Sequence, residues 1–440
     1  MTVEPNERLA LMKIIVIGEG GREHALVKKL AESEEVEEIT CFPGSHAIGL
    51  ERLITNDNAI RTVPGIGVTD AKEIANFAQE TRADLVIPGP EACLEAGVGD
   101  LCRKYGIPFA GPCSRGARLE TSKAFQFQFL CDSGIPRPAG EICHTVSSAR
   151  AFAAKHLNGV AVKADGMAFG KGVLLCSNPL DSDVAINRLM VSRECGRAGD
   201  VVVMQERVKG RGEISLHVVT DAKSALLLET ACDYKREGVG DTGENTGGIG
   251  GFSPGPVLKD ETIFKIREHL LERWRRGCEN EGIVYRGILY PGLMLVGEVG
   301  IRVLEFNARF GDPETQVFLR RFTGDLAKLM YASATDTLEK SMLSWSPEPS
   351  VGVVLCSEGY PRRPKVGREI AGLDVAAKVP DVEIFHNGTL NSGGNWLSNG
   401  GRIVTVTAIG SKARESAYEA ISRIHCEGSW FRHDIAEHLK

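Results

Sequence analysis

The chain has 440 residues, 42% hydrophobic and 25% charged, the composition of an ordinary globular protein long enough for about three domains. A formal net charge of −6 offers no basic footprint for nucleic acid or an anionic membrane, so an anionic ligand must be held by local basic groups. The 12 cysteines form no Cys-x-x-Cys pair or zinc-type spacing and no apolar run approaches membrane-spanning length, which predicts reduced thiols, a cytoplasmic location and no membrane partner.

Residues 1–11 show no periodicity and read as a frayed extension, polar and acidic rather than signal-like. Met12-Lys13-Ile14-Ile15-Val16-Ile17 then reads as a strand, ending in Gly18-Glu19-Gly20-Gly21-Arg22-Glu23-His24, with Ala25, Leu26, Val27 and Leu30 at helical spacing beyond it. Two readings stand side by side here. The loop is either a phosphate cradle, with backbone N–H groups, the helix dipole and Arg22 facing an anion, or a tight strand-to-helix turn that needs glycine. A dinucleotide fingerprint would want glycine at position 23, which is Glu23, so a nicotinamide cofactor is the weaker expectation. A strand over 38–42, a helix over 69–81 and a strand over 84–87 that ends in Pro88-Gly89-Pro90-Glu91 complete an alternating pattern. Such alternation predicts a doubly wound parallel sheet whose carboxyl strand ends share one pocket. The first domain is placed at 12–120, with a helix over 119–131 opening the next.

The second region, 121–335, carries the densest signals and includes a flap subdomain over about 140–210. Val160-Ala161-Val162-Lys163 and Val173-Leu174-Leu175-Cys176 read as a hairpin around Asp165-Gly166-Met167-Ala168-Phe169-Gly170-Lys171-Gly172. Glycines let backbone close over a polyphosphate that Lys163 and Lys171 would neutralise; without a nucleotide the same stretch is a hairpin with solvated lysines. Val201 to Glu206 reads as a strand whose end offers backbone groups to an adenine edge, with Glu213 within reach of a ribose. Asp233-Tyr234-Lys235-Arg236 precedes a glycine-rich run over 241–251, read as either a linker or a ligand-held loop, its flanking charges favouring the ligand. A helix over 260–281 and a hairpin of 287–296 with 302–307 follow. On that last strand Glu305 and Asn307 alternate onto one face, a half-shell for a hard cation or simply a wet edge. From about 345 to 440 the chain reads as a small, mostly-β third domain, and His24, His144, His217 and His386 lack a nucleophile partner for a hydrolytic triad.

Taken in order, these motifs carry a resemblance. Gly18-Glu19-Gly20-Gly21-Arg22-Glu23-His24-Ala25-Leu26, Gly89-Pro90-Glu91, Lys163-Ala164-Asp165-Gly166 with Gly170-Lys171-Gly172-Val173, and Asp241-Thr242-Gly243 with Asn245-Thr246-Gly247-Gly248 form one part of it. Arg309-Phe310-Gly311-Asp312-Pro313-Glu314-Thr315-Gln316 and Asn399-Gly400-Gly401-Arg402 form the other. From Met12 onward the chain resembles the phosphoribosylamine–glycine ligase (glycinamide ribonucleotide synthetase) family of the ATP-grasp superfamily. The resemblance implies a pre-ATP-grasp domain, a central α+β ATP-grasp domain and a C-terminal mostly-β domain. It implies ligation of glycine to 5-phosphoribosylamine through a glycyl phosphate, with ATP and Mg²⁺ or Mn²⁺ as cofactors, in a monomer or weak dimer.

Carried over residue by residue, the resemblance puts Glu305 and Asn307 on the metal. Lys123, Lys163, Gly166, Gly170, Lys171, Gly172, Glu206 and Glu213 fall on ATP, and Gly18, Gly20, Gly21, Arg22, Glu91, Asp233, Lys235, Asn245, Thr246 and Gly247 on substrates. Arg309 and Asp312 fall at the reacting groups. The chain departs from the family pattern at Arg207, Arg211 and Gly212 near the adenine hinge, at Tyr234 and Glu244 around the glycine run, and at Met167 and Phe169 in the flap.

Overall fold

The computed structural model describes residues 11–166 and 172–438. Strand Met12–Gly18 is apolar on both faces and lies inside a four-stranded, all-parallel sheet with Val36–Pro43 and Leu85–Pro88 as its neighbours. Its side chains alternate between two cores: Ile14 and Val16 pack with Leu26 and Leu30, while Ile15 and Ile17 pack with Ile74 and Ala78. The first domain is therefore doubly wound, as the alternating pattern predicts.

The helix expected over 119–131 is two helices, Ser114–Thr121 and Lys123–Asp132. Ser122 between them is extended and caps the second by accepting from Phe125 N at 3.1 Å. Its Oγ also donates to Asp165 Oδ1 at 2.8 Å, which ties the end of strand Val160–Ala164 to this junction. The flap subdomain is an antiparallel sheet of Gly140–Cys143, Val202–Glu206, Val160–Ala164 and Val173–Cys176, and the expected hairpin pairs Lys163 with Val173. The expectations at Met167, Phe169, Gly170 and Lys171 lie outside the described residues.

In the central domain Gly287–Val296 pairs with Gly300–Asn307 on one side and with Gly212–Ser215 and Val218–Thr220 on the other. The helical stretch over 260–281 is present as Asp260–Lys265, a wide π-type turn over Ile266–Leu271, and Glu272–Asn280. The C-terminal sheet of Ser350–Cys356, Arg402–Ile409 and Val382–His386 recruits two strands from the middle of the chain, Gly250–Ser253 and Cys232–Asp233. Among the described residues no helix is long and apolar enough to cross a membrane.

The glycine-rich run is neither a linker nor a bare ligand loop. It forms a hairpin of Arg236–Gly238 with Thr242–Asn245, clipped to the C-terminal domain. Arg432, only 2% exposed, donates to Arg236 O and Asp241 Oδ1, both at 2.9 Å, and to Asp434 Oδ2 at 2.6 Å. Glu244 pairs with Arg362 at 3.1 Å. Because hydrogen bonds to charged groups each contribute about 1.5 kcal/mol or more, Arg432→Met is expected to free the hairpin locally. Amide exchange over 236–245 should rise at least ~tenfold while the parallel sheet stays protected, and unchanged exchange would contradict the clip.

Candidate active site

Leu304 is the extra residue of a β-bulge: Gly292 pairs with Glu305, yet the next pair is Leu293 with Val303. Val303 and Phe306 thereby both reach the core, while Glu305 and Asn307 share the other face as the sequence predicts. The bulge also turns the Leu304 carbonyl to Lys163, whose Nζ donates to it at 2.7 Å. Lys123, the first residue of its helix, donates to Glu305 Oε2 at 3.1 Å. Across the sheet Lys235 pairs with Glu213. Gly292 lies between the two carboxylates: a Cβ there would meet Glu213 Oε1 and Glu305 Cγ, each at 3.5 Å. Glu213, expected beside a ribose, thus belongs to the charged cluster around Glu305.

Burial alone would raise the Glu305 carboxyl, but the ammonium groups of Lys123, Lys235 and Lys163 outweigh it and hold the acid well below its ordinary range. Burial, with Lys123 nearby, lowers Lys163 to about 8. Asn307 donates through Nδ2 to Tyr290 O at 3.3 Å, which leaves Oδ1 as its acceptor. Among the described residues no three His, Cys, Asp or Glu side chains converge as a metal site. Glu305 and Asn307 therefore fit a hard cation that completes its shell with phosphate oxygens and water, the usual habit of Mg²⁺.

The 309–316 loop is gripped from every domain. Arg309 Nε donates to Glu91 Oε2 at 3.1 Å, Nη2 to Glu120 Oε1 at 2.9 Å, and Nη1 to Phe310 O at 3.1 Å. Three of its five donors are engaged, so the guanidinium is fixed in place with N–H groups still to offer. Glu91, expected at a substrate, pairs with Arg309: burial opposes its ionisation, but the guanidinium lowers it. Arg22 Nη1 donates to Phe310 O at 3.2 Å. Asp312, expected at the reacting groups, has both oxygens engaged, by Arg402 Nη2 and Gln316 Nε2, each at 2.7 Å. Despite burial, Arg402 keeps the carboxyl ionised, so it acts on loop geometry and is not free to move a proton. Beneath the loop Glu314, 1% exposed, accepts from Ser215 Oγ at 2.7 Å and from the Tyr290 hydroxyl.

The Gly18–Gly21 cradle is partly filled by the chain itself. Gly20 N donates to Glu23 Oε2 at 2.8 Å, and Cβ atoms at Gly18 or Gly89 would fall within 2.4 Å of the Glu23 side chain. Glu23 thus takes the niche a third glycine would leave for pyrophosphate, and the reading as a turn that requires glycine is satisfied. Gly21 packs against the third domain, where a Cβ would come 1.8 Å from Asn387 Oδ1. The Thr246 hydroxyl, expected on a substrate, donates to Lys235 O at 2.9 Å. Gly247 N donates to the Tyr360 hydroxyl at 2.8 Å, and the Asn245 side chain has no hydrogen bond among those described. Glu206 uses Oε1 to accept from Ala139 N at 2.9 Å. Asp233 lies beside Lys235 with Oδ1 buried and unpartnered, its carboxyl raised well above the ordinary range by burial and by Glu314.

Glu120 and His217 entered no sequence-derived role, and Arg402 and Glu314 stood only within the motifs that carry the resemblance, because each is recruited by partners distant along the chain. Removing one side of a buried ion pair typically costs about 3–5 kcal/mol. Glu120→Ala, which removes one of the two carboxylates paired with Arg309 and leaves the buried Ala308 N–H without its acceptor, should therefore lower unfolding stability by that order in a denaturant titration; a loss below ~1 kcal/mol would contradict the clamp.

Three family models match consecutive segments: the phosphoribosylglycinamide synthetase N domain over 12–120, its ATP-grasp (A) domain over 121–315 and its C domain over 350–438. The phosphoribosylamine–glycine ligase of Vibrio cholerae is 38% identical over 427 residues, 96% of this chain and 97% of that one. That of Caldanaerobacter subterraneus is 37% identical over 97% of this chain and 99% of its own. The solved Thermotoga maritima phosphoribosylamine–glycine ligase superimposes with a TM-score of 0.79 at 29% identity, covering 96% of this chain and all of the other (100%). The biotin carboxylase domain of Hydrogenobacter thermophilus 2-oxoglutarate carboxylase, solved with MgADP and bicarbonate, shares the fold at 15% identity with a TM-score of 0.71 over 96% of this chain and 92% of that one. With all three domains matched in order, the chain belongs to the phosphoribosylglycinamide synthetase family.

Proposed function

We propose that the chain joins glycine to 5-phosphoribosylamine at the expense of ATP, giving glycinamide ribonucleotide, ADP and phosphate through a glycyl phosphate, a step of purine biosynthesis. The observation that carries this reading is the convergence of Lys123, Lys163 and Lys235 on Glu305, beside Asn307 and a clamped Arg309, in a chain of this family. Three ammonium groups around one carboxylate form a receptor for a polyanion, and that carboxylate with the Asn307 amide oxygen forms a receptor for its cation. Mg²⁺ or Mn²⁺ held there would neutralise charge on the terminal phosphates. MgADP in the carboxylase of the same fold supports the same use here.

The chemistry needs positioning and charge stabilisation, with no covalent protein intermediate. A glycine carboxylate oxygen attacks the terminal phosphorus and ADP leaves; the phosphoribosylamine nitrogen then attacks the acyl carbon, phosphate leaves, and the nitrogen gives up a proton. The N–H groups of Arg309 not engaged by protein would orient the glycine carboxylate. Asp233, with its unpartnered oxygen, would face the glycine ammonium group. Phosphoribosylamine is placed on the side of the cleft bounded by the Gly18–Gly21 loop, Arg22 and the Asn245 end of the hairpin. The flap subdomain would cover the phosphates.

ADP release is expected only when glycine and phosphoribosylamine are both present. Glu305→Ala should reduce turnover by ~100-fold or more, the scale of losing an electrostatic contact to a reacting phosphoryl group, without changing the circular dichroism spectrum. Release driven by bicarbonate, or by another carboxylate in place of glycine, would overturn the substrate assignment.

A further inference from the structure

His217 lies under the 309–316 loop, fully buried at 0% exposure, between the strands Gly212–Ser215 and Val218–Thr220. Its ring stacks on Tyr290 with centroids 4.3 Å apart and packs against Phe318 at 4.9 Å. Nε2 accepts from the backbone N–H of Gly311 at 3.0 Å. An accepting Nε2 requires its lone pair, so the imidazole is neutral and carries its proton on Nδ1. Nδ1 is buried with no hydrogen-bond partner among the described residues.

That arrangement is unfavourable for packing alone. A buried N–H without a partner is penalised, and an aliphatic or phenyl side chain would fill the same space without the penalty. What such a side chain would lack is the acceptor. Gly311 sits directly on the ring: a Cβ there would come 2.9 Å from His217 Nε2 and 2.7 Å from Glu314 Oε2. Its carbonyl is fixed from the other side by Thr315 Oγ1 at 2.6 Å. Gly311 follows Arg309 by two residues and precedes Asp312, so its peptide sets the direction from which both side chains leave the backbone.

We propose that His217 is a positioning residue for the ligase reaction, acting through the Gly311 amide to aim Arg309. The inference rests on the reading of the 309–316 loop as part of the active site. It assigns His217 to the step in which the glycine carboxylate is activated, and not to ATP binding, because the lysine contacts arise from other segments.

The test compares His217→Met, which fills the space without an acceptor at Nε2, with His217→Gln, whose Oε1 restores one. Misplacing a reacting group by about 1 Å costs up to ~100-fold in rate, so His217→Met should lose at least ~tenfold in kcat with the KM for ATP within about twofold of wild type. His217→Gln should stay within about threefold of the wild-type kcat. Wild-type turnover in His217→Met overturns the proposal. So does an equal loss in a folded His217→Gln, which would assign the effect to ring packing on Tyr290. If His217→Met does not fold, His217→Gln decides alone: retained kcat supports the proposal and a tenfold loss overturns it. Failure of both to fold overturns it in favour of a structural role. A wild-type protein without glycine-dependent ADP release would instead contradict the functional reading.

Discussion

Three ammonium groups, those of Lys123, Lys163 and Lys235, are gathered around the carboxylates of Glu305 and Glu213 in a largely buried region. Like charges brought together away from water repel strongly, and burial lowers Lys163 to about 8. The cluster is held together by its surroundings: a bulge that aims the Leu304 carbonyl at Lys163, a capped helix start that delivers Lys123, and Gly292, which leaves room for acidic side chains from the strands on either side of it. In the proposed reaction a polyphosphate with its cation would balance these charges.

The second half of the site depends on a different device. The 309–316 loop is fixed by partners from all parts of the chain. Arg22 and Glu91 grip it from the parallel sheet, Glu120 from the helix that joins the first domain to the second, Ser215, His217 and Tyr290 from below, and Arg402 from the C-terminal sheet. Phe310 and Phe318 extend one continuous core with Ile14 and Leu26 of the first domain. The loop consequently acts as a rigid joint between domains, while the flap subdomain keeps a separate core and is tied to the site through Ser122 with Asp165 and Lys163 with the Leu304 carbonyl.

Local periodicity was sufficient for the parallel sheet, the flap hairpin and the shared face of Glu305 and Asn307, because each depends on neighbours within a few residues. The resemblance set Lys123 and Lys163 on ATP and Lys235 on a substrate. What local pattern could not carry was long-range: Glu120 and Arg402 are ordinary charges until Arg309 and Asp312 arrive from far along the chain, and His217 has no local partner to mark it. The strands Cys232–Asp233 and Gly250–Ser253 lie within the central region by sequence and pair in the C-terminal sheet, a recruitment that the alternation pattern does not encode. Two further features do carry a local signal. Ser122 is a good N-cap and marks the helix break, and Glu23 sits three residues after Gly20, the spacing of a carboxylate that returns to cap the turn.

The reaction proposed for this site activates the glycine carboxylate by phosphoryl transfer. The most direct measurement is the fate of oxygen: glycine labelled with ¹⁸O in its carboxylate is turned over with ATP and phosphoribosylamine, and the released phosphate is analysed by mass. Transfer of one labelled oxygen from each glycine consumed to inorganic phosphate is the predicted result. Phosphate without label, formed at the same rate as glycinamide ribonucleotide, would contradict it.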